Sequence, residues 1–249
     1  LLDAGLDAAT DAGWMDAAVM DAAAQDAGME AGMEAGAVDP CLGRSGLLFC
    51  DGFEDPALAS WGAPVATNGS VERSTSRQRS GTASLHAATG AANGASSAAR
   101  YQAQVFGHIK KGELWARAFY YLPSSVVIDT FFATLRAAEL EPPSFGCSLV
   151  VRAGNVELGG VTTRFTTSSP FPRDQWTCVE LHIVIDANAG VCEAYVDGMI
   201  ATQSPMVDTL PAMGYTTLDV GIQQTDTAQG PVEVFVDDVA AGPTRVGCD

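Results

Sequence analysis

The sequence predicts an all-β sandwich of about 210 residues, preceded by a low-complexity extension. From Cys41 onward, short apolar or alternating runs recur between turn-forming Gly, Pro, Asn and Ser, which is the pattern of many short strands. Before Cys41, Ala, Gly, Asp and Glu dominate the composition. We therefore divide the chain into an acidic Ala/Asp/Gly-rich extension at 1–40 and a folded domain at 41–249.

The extension is acidic throughout and contains neither Lys nor Arg. Its glycines and its like charges at four-residue spacing weaken a helix, which favours a solvated spacer. Its large apolar side chains, however, are too numerous for a pure linker and predict docking onto the chain's own domain or onto a partner protein. The predicted docking residues are Leu2, Leu6, Trp14, Met15 and Met20.

The folded domain contains a series of strand-like runs that follow one another along the chain. Each is short, apolar or alternating, and bounded by turn signals. The runs lie at 46–53, 82–88, 99–106, 113–123, 129–139, 146–154, 155–161, 162–167, 176–186, 190–202, 217–224 and 232–242.

The clearest local unit is "WTCVELHIVIDANAGVCEAYVDG", which reads as a hairpin closed by "DANAG". Its first strand alternates, so that Val179, Leu181, Ile183 and Ile185 form the predicted core face. Pairing Asp186 with Gly190 would place Val184 opposite Cys192. Cys178 would then lie roughly 20 Å from Cys192, which is too far for a disulfide.

Six cysteines without metal-type spacing favour disulfides and an oxidising compartment. Cys147 is expected to pair with either Cys178 or Cys192, and the sequence leaves this choice open. Cys50 either joins Cys248, which would fasten the two ends of the domain, or closes a small loop with Cys41.

The formal net charge of −17 disfavours nucleic acid and anionic membranes as partners and is more compatible with a cationic partner or a divalent metal. No apolar run approaches the ~18 residues of a transmembrane helix. We expect an extracellular or outer-surface location, compatible with a lipid anchor ahead of residue 1.

Several motifs in order resemble the concanavalin A-like lectin/glucanase superfamily, in particular the LamG-like jelly-roll domains of secreted bacterial proteins. They are "LLFCDGFEDPALASW", "RSGTASLHA", "GELWARAFYYLPSS", "WTCVELHIVID" followed by "GVCEAYVDG", and "VEVFVDDVAAGP". The extension is similar to the N-terminal spacers of myxobacterial surface lipoproteins. The resemblance covers roughly residues 46–243 and implies a two-sheet antiparallel jelly roll, a fold that hosts lectins, adhesion modules, glycosidases and lyases alike.

The sequence lacks the catalytic motifs of enzymes with this fold. The glucanase pattern E-x-D-x-x-E, which sets two carboxylates about 5 Å apart, does not occur. The R-x-E-x-R and Q-I-H motifs of the jelly-roll alginate lyases are also missing. We therefore expect no enzymatic activity.

A calcium site and a ligand face are the remaining candidates. If the first and last strands are neighbours, their acidic residues would come together as oxygen ligands for calcium: Asp51, Glu54, Asp55, Asp237 and Asp238. Alternation places Trp115, Arg117 and Tyr121 on one face of their strand and Glu180 with His182 on one face of another. These five are the predicted ligand-binding residues, with a glycan as the expected ligand.

Together these observations predict a non-catalytic cell-surface jelly-roll protein, a structural or adhesive subunit of an extracellular assembly whose extension docks on a partner or neighbouring subunit. The alternative is a carbohydrate-binding lectin module on a stalk, and the third reading is a polysaccharide-degrading glycosidase or lyase.

Overall fold

The computed structural model describes residue 41 and residues 45–139, 146–160 and 165–249, with the side chains of 165–168 left out. The predicted docking residues of the extension lie outside this part of the chain, so partner docking stays a prediction. Every strand pairing among the described residues is antiparallel, and the strands form two sheets of eight. The all-β sandwich prediction is confirmed, and its architecture is that of a jelly roll.

The first sheet has the order β13-β12-β11-β6-β16-β4-β3, with β1 also paired to β16. Its strands are β1 (Phe49–Asp51), β3 (Gly69–Ser74), β4 (Ser84–Thr89), β6 (Gly112–Tyr121), β11 (Trp176–Ile185), β12 (Val191–Val196), β13 (Met199–Gln203) and β16 (Val232–Gly242).

The second sheet has the order β10-β9-β8-β7-β14-β5-β2, with β15 also paired to β7. Its strands are β2 (Val65–Thr67), β5 (Ala98–Ile109), β7 (Phe131–Ala138), β8 (Gly146–Arg152), β9 (Asn155–Gly159), β10 (Phe165–Pro170), β14 (Tyr215–Ile222) and β15 (Gln224–Thr225).

The core lies between the inner faces of the two sheets. The predicted alternation of β11 is confirmed, because Val179, Leu181, Ile183 and Ile185 all belong to this core. Burying each such side chain contributes about 1.5–3 kcal/mol, so the period of two fixes which face of every strand points inward. The remaining side chains of each strand point outward and define an outer face on each sheet.

The β11–β12 hairpin differs from the predicted register by one residue. Ile183, not Val184, lies opposite Cys192, and Val184 lies opposite Val191. The turn is tightened by Asp186, whose Oδ1 accepts hydrogen bonds from the backbone N–H groups of Asn188 and Ala189. A one-residue shift exchanges the two faces of a strand, so Cys192 points into the core.

Three disulfides join the six cysteines, which is the usage typical of an oxidising compartment. Cys147 pairs with Cys192 and links the two sheets through the core. Cys50 closes the small loop with Cys41, so the alternative Cys50–Cys248 bridge does not form. Cys248 bonds to Cys178 instead and ties residues 243–249 to β11. None of the described residues forms a helix that could cross a membrane.

Candidate functional site

The predicted ligand-binding residues lie together on the outer face of the first sheet. In the β6–β11 pairing, Arg117 is opposite Glu180, Trp115 is opposite His182, and Tyr121 is opposite Trp176. The two predicted groups, each on one face of its own strand, are thus brought onto one outer face by the register of two neighbouring strands, and ligand binding by them stays a prediction.

Two of these side chains already form hydrogen bonds with other groups of the protein. Arg117 is only 1% exposed and donates hydrogen bonds to the carbonyl oxygens of Asp238 and Gly247. Glu180, also 1% exposed, accepts two close hydrogen bonds from Arg245 and one from the backbone N–H of Gly247. Both residues hold the disulfide-tied segment 243–249 against the sheet, which closes this part of the face.

The rest of the predicted set also contacts protein. The rings of Trp115 and His182 stack with centroids 3.9 Å apart, and both residues are at least nine-tenths buried. The two ring nitrogens of His182 lie 2.7 Å from Glu193 and 3.2 Å from Glu113. The guanidinium of Arg77 covers the ring of Tyr121 at 3.7 Å. These contacts leave no open aromatic platform among the five residues.

Acidic groups outnumber arginines on this outer face. An acidic polysaccharide would meet repulsion here, and its carboxylates would compete with those of the protein. The acidic side chains among the described residues of this face are Glu72, Glu113, Glu180, Glu193, Glu233, Asp237 and Asp238, and the arginines are Arg77, Arg79, Arg117 and Arg245.

Of the predicted calcium ligands, Asp51 accepts hydrogen bonds from the indole N–H of Trp61 and the backbone N–H of Phe53. Glu54 accepts them from the hydroxyl and the backbone N–H of Thr82. Asp55 caps its own turn by accepting the backbone N–H of Ala57. These three carboxylates thus have protein donors as their contacts.

The other two predicted ligands bind the loop that precedes β4. Asp237 accepts the backbone N–H of Arg79, and Asp238 accepts the guanidinium of Arg79 at 2.6 Å and the hydroxyl of Ser80. Burial, followed by the adjacent charge of Asp238, raises the pKa of Asp237 to about 7. Among the described residues, no group of three or more His, Cys, Asp or Glu is arranged to hold a metal ion. Calcium binding stays a prediction.

The outer face of the second sheet carries a different cluster, which we call the polar row. Ser148 on β8 lies opposite Arg136 on β7, Arg136 lies opposite Asp219 on β14, and Asp219 lies opposite Gln102 on β5. Four neighbouring strands thus set four polar side chains in one line across the sheet.

Asp219 is the centre of the polar row and is fully buried. Its Oδ1 accepts a hydrogen bond from Gln102 at 2.8 Å, and its Oδ2 lies 3.4 Å from the guanidinium of Arg136 and 3.9 Å from that of Arg100. Burial raises the pKa of Asp219, and the charge of Arg136 opposes this effect. The carboxylate therefore orients three side chains that lie above or beside it.

Small or apolar side chains border the polar row on both sides. Gly146, Ala138 and Thr217 occupy the next line of the register across β8, β7 and β14. On the other side, Ala133 and Val150 pack in a small outer cluster that is separate from the main core. Short side chains thus flank the polar row on one side, and an apolar cluster that also includes Phe131 flanks it on the other.

Among the described residues of this face, arginines outnumber acidic side chains. The arginines are Arg100, Arg136 and Arg152, and the acidic residues are Asp219 and Glu157. Glu157 pairs with Arg152 at 2.9 Å. The polar row is not apparent from the sequence because its members are distant along the chain. The available signals were the outward alternation of Arg100, Gln102 and Gln104 on β5 and the lone acid within the apolar run "TLDVGI".

No protein-family model and no curated protein sequence matches the chain. Solved structures do match it. An endo-β-1,4-glucuronan lyase from the fungus Trichoderma reesei has a TM-score of 0.62 at 15% identity, covering 75% of this chain and 92% of that one. Cellulose induced protein, Cip1, has a TM-score of 0.61 at 18% identity, with 81% and 100% covered. The alginate lyase vAL-1 from Chlorella virus has a TM-score of 0.57 at 7% identity, with 79% and 99% covered.

These likenesses identify the fold class, a jelly-roll sandwich shared with polysaccharide lyases. They also correct two expectations from the sequence. The reading as a non-enzyme and the reading as a structural or adhesive subunit are both wrong, because the matching folds include a glucuronan lyase and an alginate lyase. Fixed catalytic motifs are a poor guide here, because the fold is retained at sequence identities of 7% to 18%.

Proposed function

We propose that the chain is a polysaccharide lyase that cleaves a uronate-containing polysaccharide on the outer face of the second sheet. The observation that carries the proposal is the polar row, in which buried Asp219 orients Arg136, Arg100 and Gln102 on a face whose described side chains carry more positive than negative charge. A guanidinium group suits a carboxylate in both charge and hydrogen-bond geometry. The lyases of similar fold support the same chemistry.

The reaction would be a β-elimination. A base removes the proton at C5 of the uronate, and the electrons of that C–H bond form the C4=C5 double bond. The C4–O bond breaks, its electrons go to the leaving oxygen, and that oxygen takes up a proton. Negative charge develops on the substrate carboxylate as the C5 proton leaves, so a cation held against that carboxylate lowers the barrier. Arg136 would supply this cation, with Gln102 and Arg100 as further donors.

The same proposal assigns the chain to the concanavalin A-like superfamily and to an extracellular location. Two packed antiparallel sheets support the first assignment. Three disulfides support the second, because disulfides persist outside reducing compartments. An extracellular lyase would meet its polymeric substrate directly.

The test is the release of unsaturated ends from polyglucuronate and from alginate, followed by the ultraviolet absorbance of the new double bond. Arg136→Gln should lower kcat roughly a hundredfold or more, since it removes the cation that stabilises the transition state. Arg136→Lys should retain part of the activity because it keeps the charge. Arg117→Gln is the matched control, since it also removes a buried arginine, but from the opposite sheet.

The melting temperature of each variant separates folding from catalysis, because breaking a buried ion pair costs about 3–5 kcal/mol on its own. Arg117→Gln should be less stable than the wild type but should keep its kcat. An equal loss of kcat in both glutamine variants would mean that the active site does not lie on the second sheet. The proposed lyase activity would be refuted if the wild-type protein bound both polymers but released no unsaturated ends.

A further inference from the structure

The end of β5 and the turn into β6 concentrate basic side chains. Residues 107–112 contain His108, Lys110 and Lys111, and these two lysines are the only lysines of the sequence. All three side chains are exposed. In a chain of net charge −17, such a cluster stands out, and we call it the basic turn.

The basic turn has a defined conformation. His108 has a φ of 63°, a left-handed value that is unfavourable for a non-glycine residue. Phe106 and Ile109 on either side pack into or against the core, which holds the strained segment in place. Two hydrogen bonds anchor it to the loop before β14, because His108 Nδ1 lies 3.0 Å from the carbonyl oxygen of Met213 and Lys110 Nζ donates to that of Ala212.

The basic turn continues the strand that carries part of the polar row. Gln102 and Gln104 lie opposite Asp219 and Thr217 on β14, and further along the same pair Ile109 lies opposite Tyr215. Six residues separate Gln102 from His108, a reach of at most about 20 Å along a strand. An irregularity in the β5–β14 register between these points shortens that distance. A polymer lying along the polar row would therefore pass β5 within about 20 Å of the basic turn.

We propose that the basic turn is a second anion subsite, which binds carboxylates of the same polyuronate chain away from the cleaved bond. This inference rests on the proposed function and adds to it a means of selecting polymers over short fragments. A polyuronate repeats its charge at every acidic sugar, so a chain held at the polar row presents further carboxylates at a high effective concentration. Cations at the rim of a site attract such a chain over a distance and hold it loosely.

The test compares Lys110→Ala/Lys111→Ala with the wild type on long polyuronates and on short oligosaccharides. On the polymer, the double variant should raise KM roughly three- to tenfold with little change in kcat, the effect of losing two rim charges. The effect should shrink as salt is added. On oligosaccharides too short to reach the turn, KM should hardly change. Lys110→Arg/Lys111→Arg keeps both charges and should restore the wild-type KM on polymers.

An unchanged polymer KM in the alanine double variant would overturn the subsite while leaving the lyase intact. An equal rise of KM on polymer and on short oligosaccharides would overturn it too, because a structural disturbance would affect both. If the wild type cleaves no polyuronate, the proposed function fails by itself. The subsite is then decided by affinity electrophoresis in alginate gels, in which unaltered retardation of the alanine variant would refute it.

Discussion

Asp237→Asn should make the folded protein less sensitive to pH. Asp237 is fully buried on β16, and its pKa is raised from 3.8 to about 7, first by burial and then by the neighbouring charge of Asp238. Between these two values the unfolded chain loses the proton while the folded chain keeps it. Folding is therefore coupled to proton retention, and the stability of the wild type should fall as the pH rises from about 4 to about 7.

The size of this effect follows from the separation of the two pKa values. Each pH unit corresponds to about 1.4 kcal/mol, so a separation of roughly three units gives an upper value of about 4 kcal/mol. Asparagine keeps an oxygen that can accept the backbone N–H of Arg79, as Asp237 does at 2.8 Å. The substitution thus removes the charge while preserving this contact.

Urea denaturation at closely spaced pH values between 4 and 8 measures the difference directly. The free energy of unfolding of Asp237→Asn should show a smaller decline over this range than that of the wild type, and the variant should be the more stable at pH 7. Asp55→Asn is the control, because the pKa of exposed Asp55 is lowered by hydrogen bonds from the backbone of Ala57 and Ala59. The charge of Asp55 therefore stabilises the folded protein above the pKa that Asp55 has in the unfolded chain, and this stabilisation is lost in acid. Parallel curves for wild type and Asp237→Asn would refute the reasoning.

Two further predictions concern stability alone. Replacing Cys147 and Cys192 together by serine opens a loop of 45 residues and should lower the free energy of unfolding by about 4 kcal/mol, as measured by urea denaturation; a loss below 1 kcal/mol would contradict it. Gly221→Ala should lower the free energy of unfolding by about 1–3 kcal/mol, because φ is +106° and the added Cβ would lie 2.6 Å from a backbone oxygen. Gly94→Ala is the control and should cost less, because there is open space around Gly94. Thermal melts of both variants measure the difference.

Local alternation made much of the fold predictable. The inward residues of β11 were identified because Val179, Leu181, Ile183 and Ile185 repeat at a period of two and each gains from burial. The register of the following hairpin was off by one because Asp186 tightens the turn with two hydrogen bonds that the sequence pattern does not reveal. That single shift decided which cysteine meets Cys147.

The candidate site was less predictable because it depends on contacts between distant parts of the chain. Gln102, Arg136 and Asp219 each look like an isolated polar residue within a strand, and only the pairing of β5, β14 and β7 brings them together. The first sheet shows the opposite case. The pairing of β6 with β11 puts Arg117 opposite Glu180, but nothing local in the sequence indicates that residues 243–249 fold back over them.

The closure of that face depends on one covalent bond near the end of the chain. Cys248 bonds to Cys178 on β11, and this bond tethers residues 243–249 beside Arg117 and Glu180. A reducing compartment would remove the tether and leave only noncovalent contacts to keep water from these two charges. The redox state of the surroundings thus bears on which surface the first sheet presents.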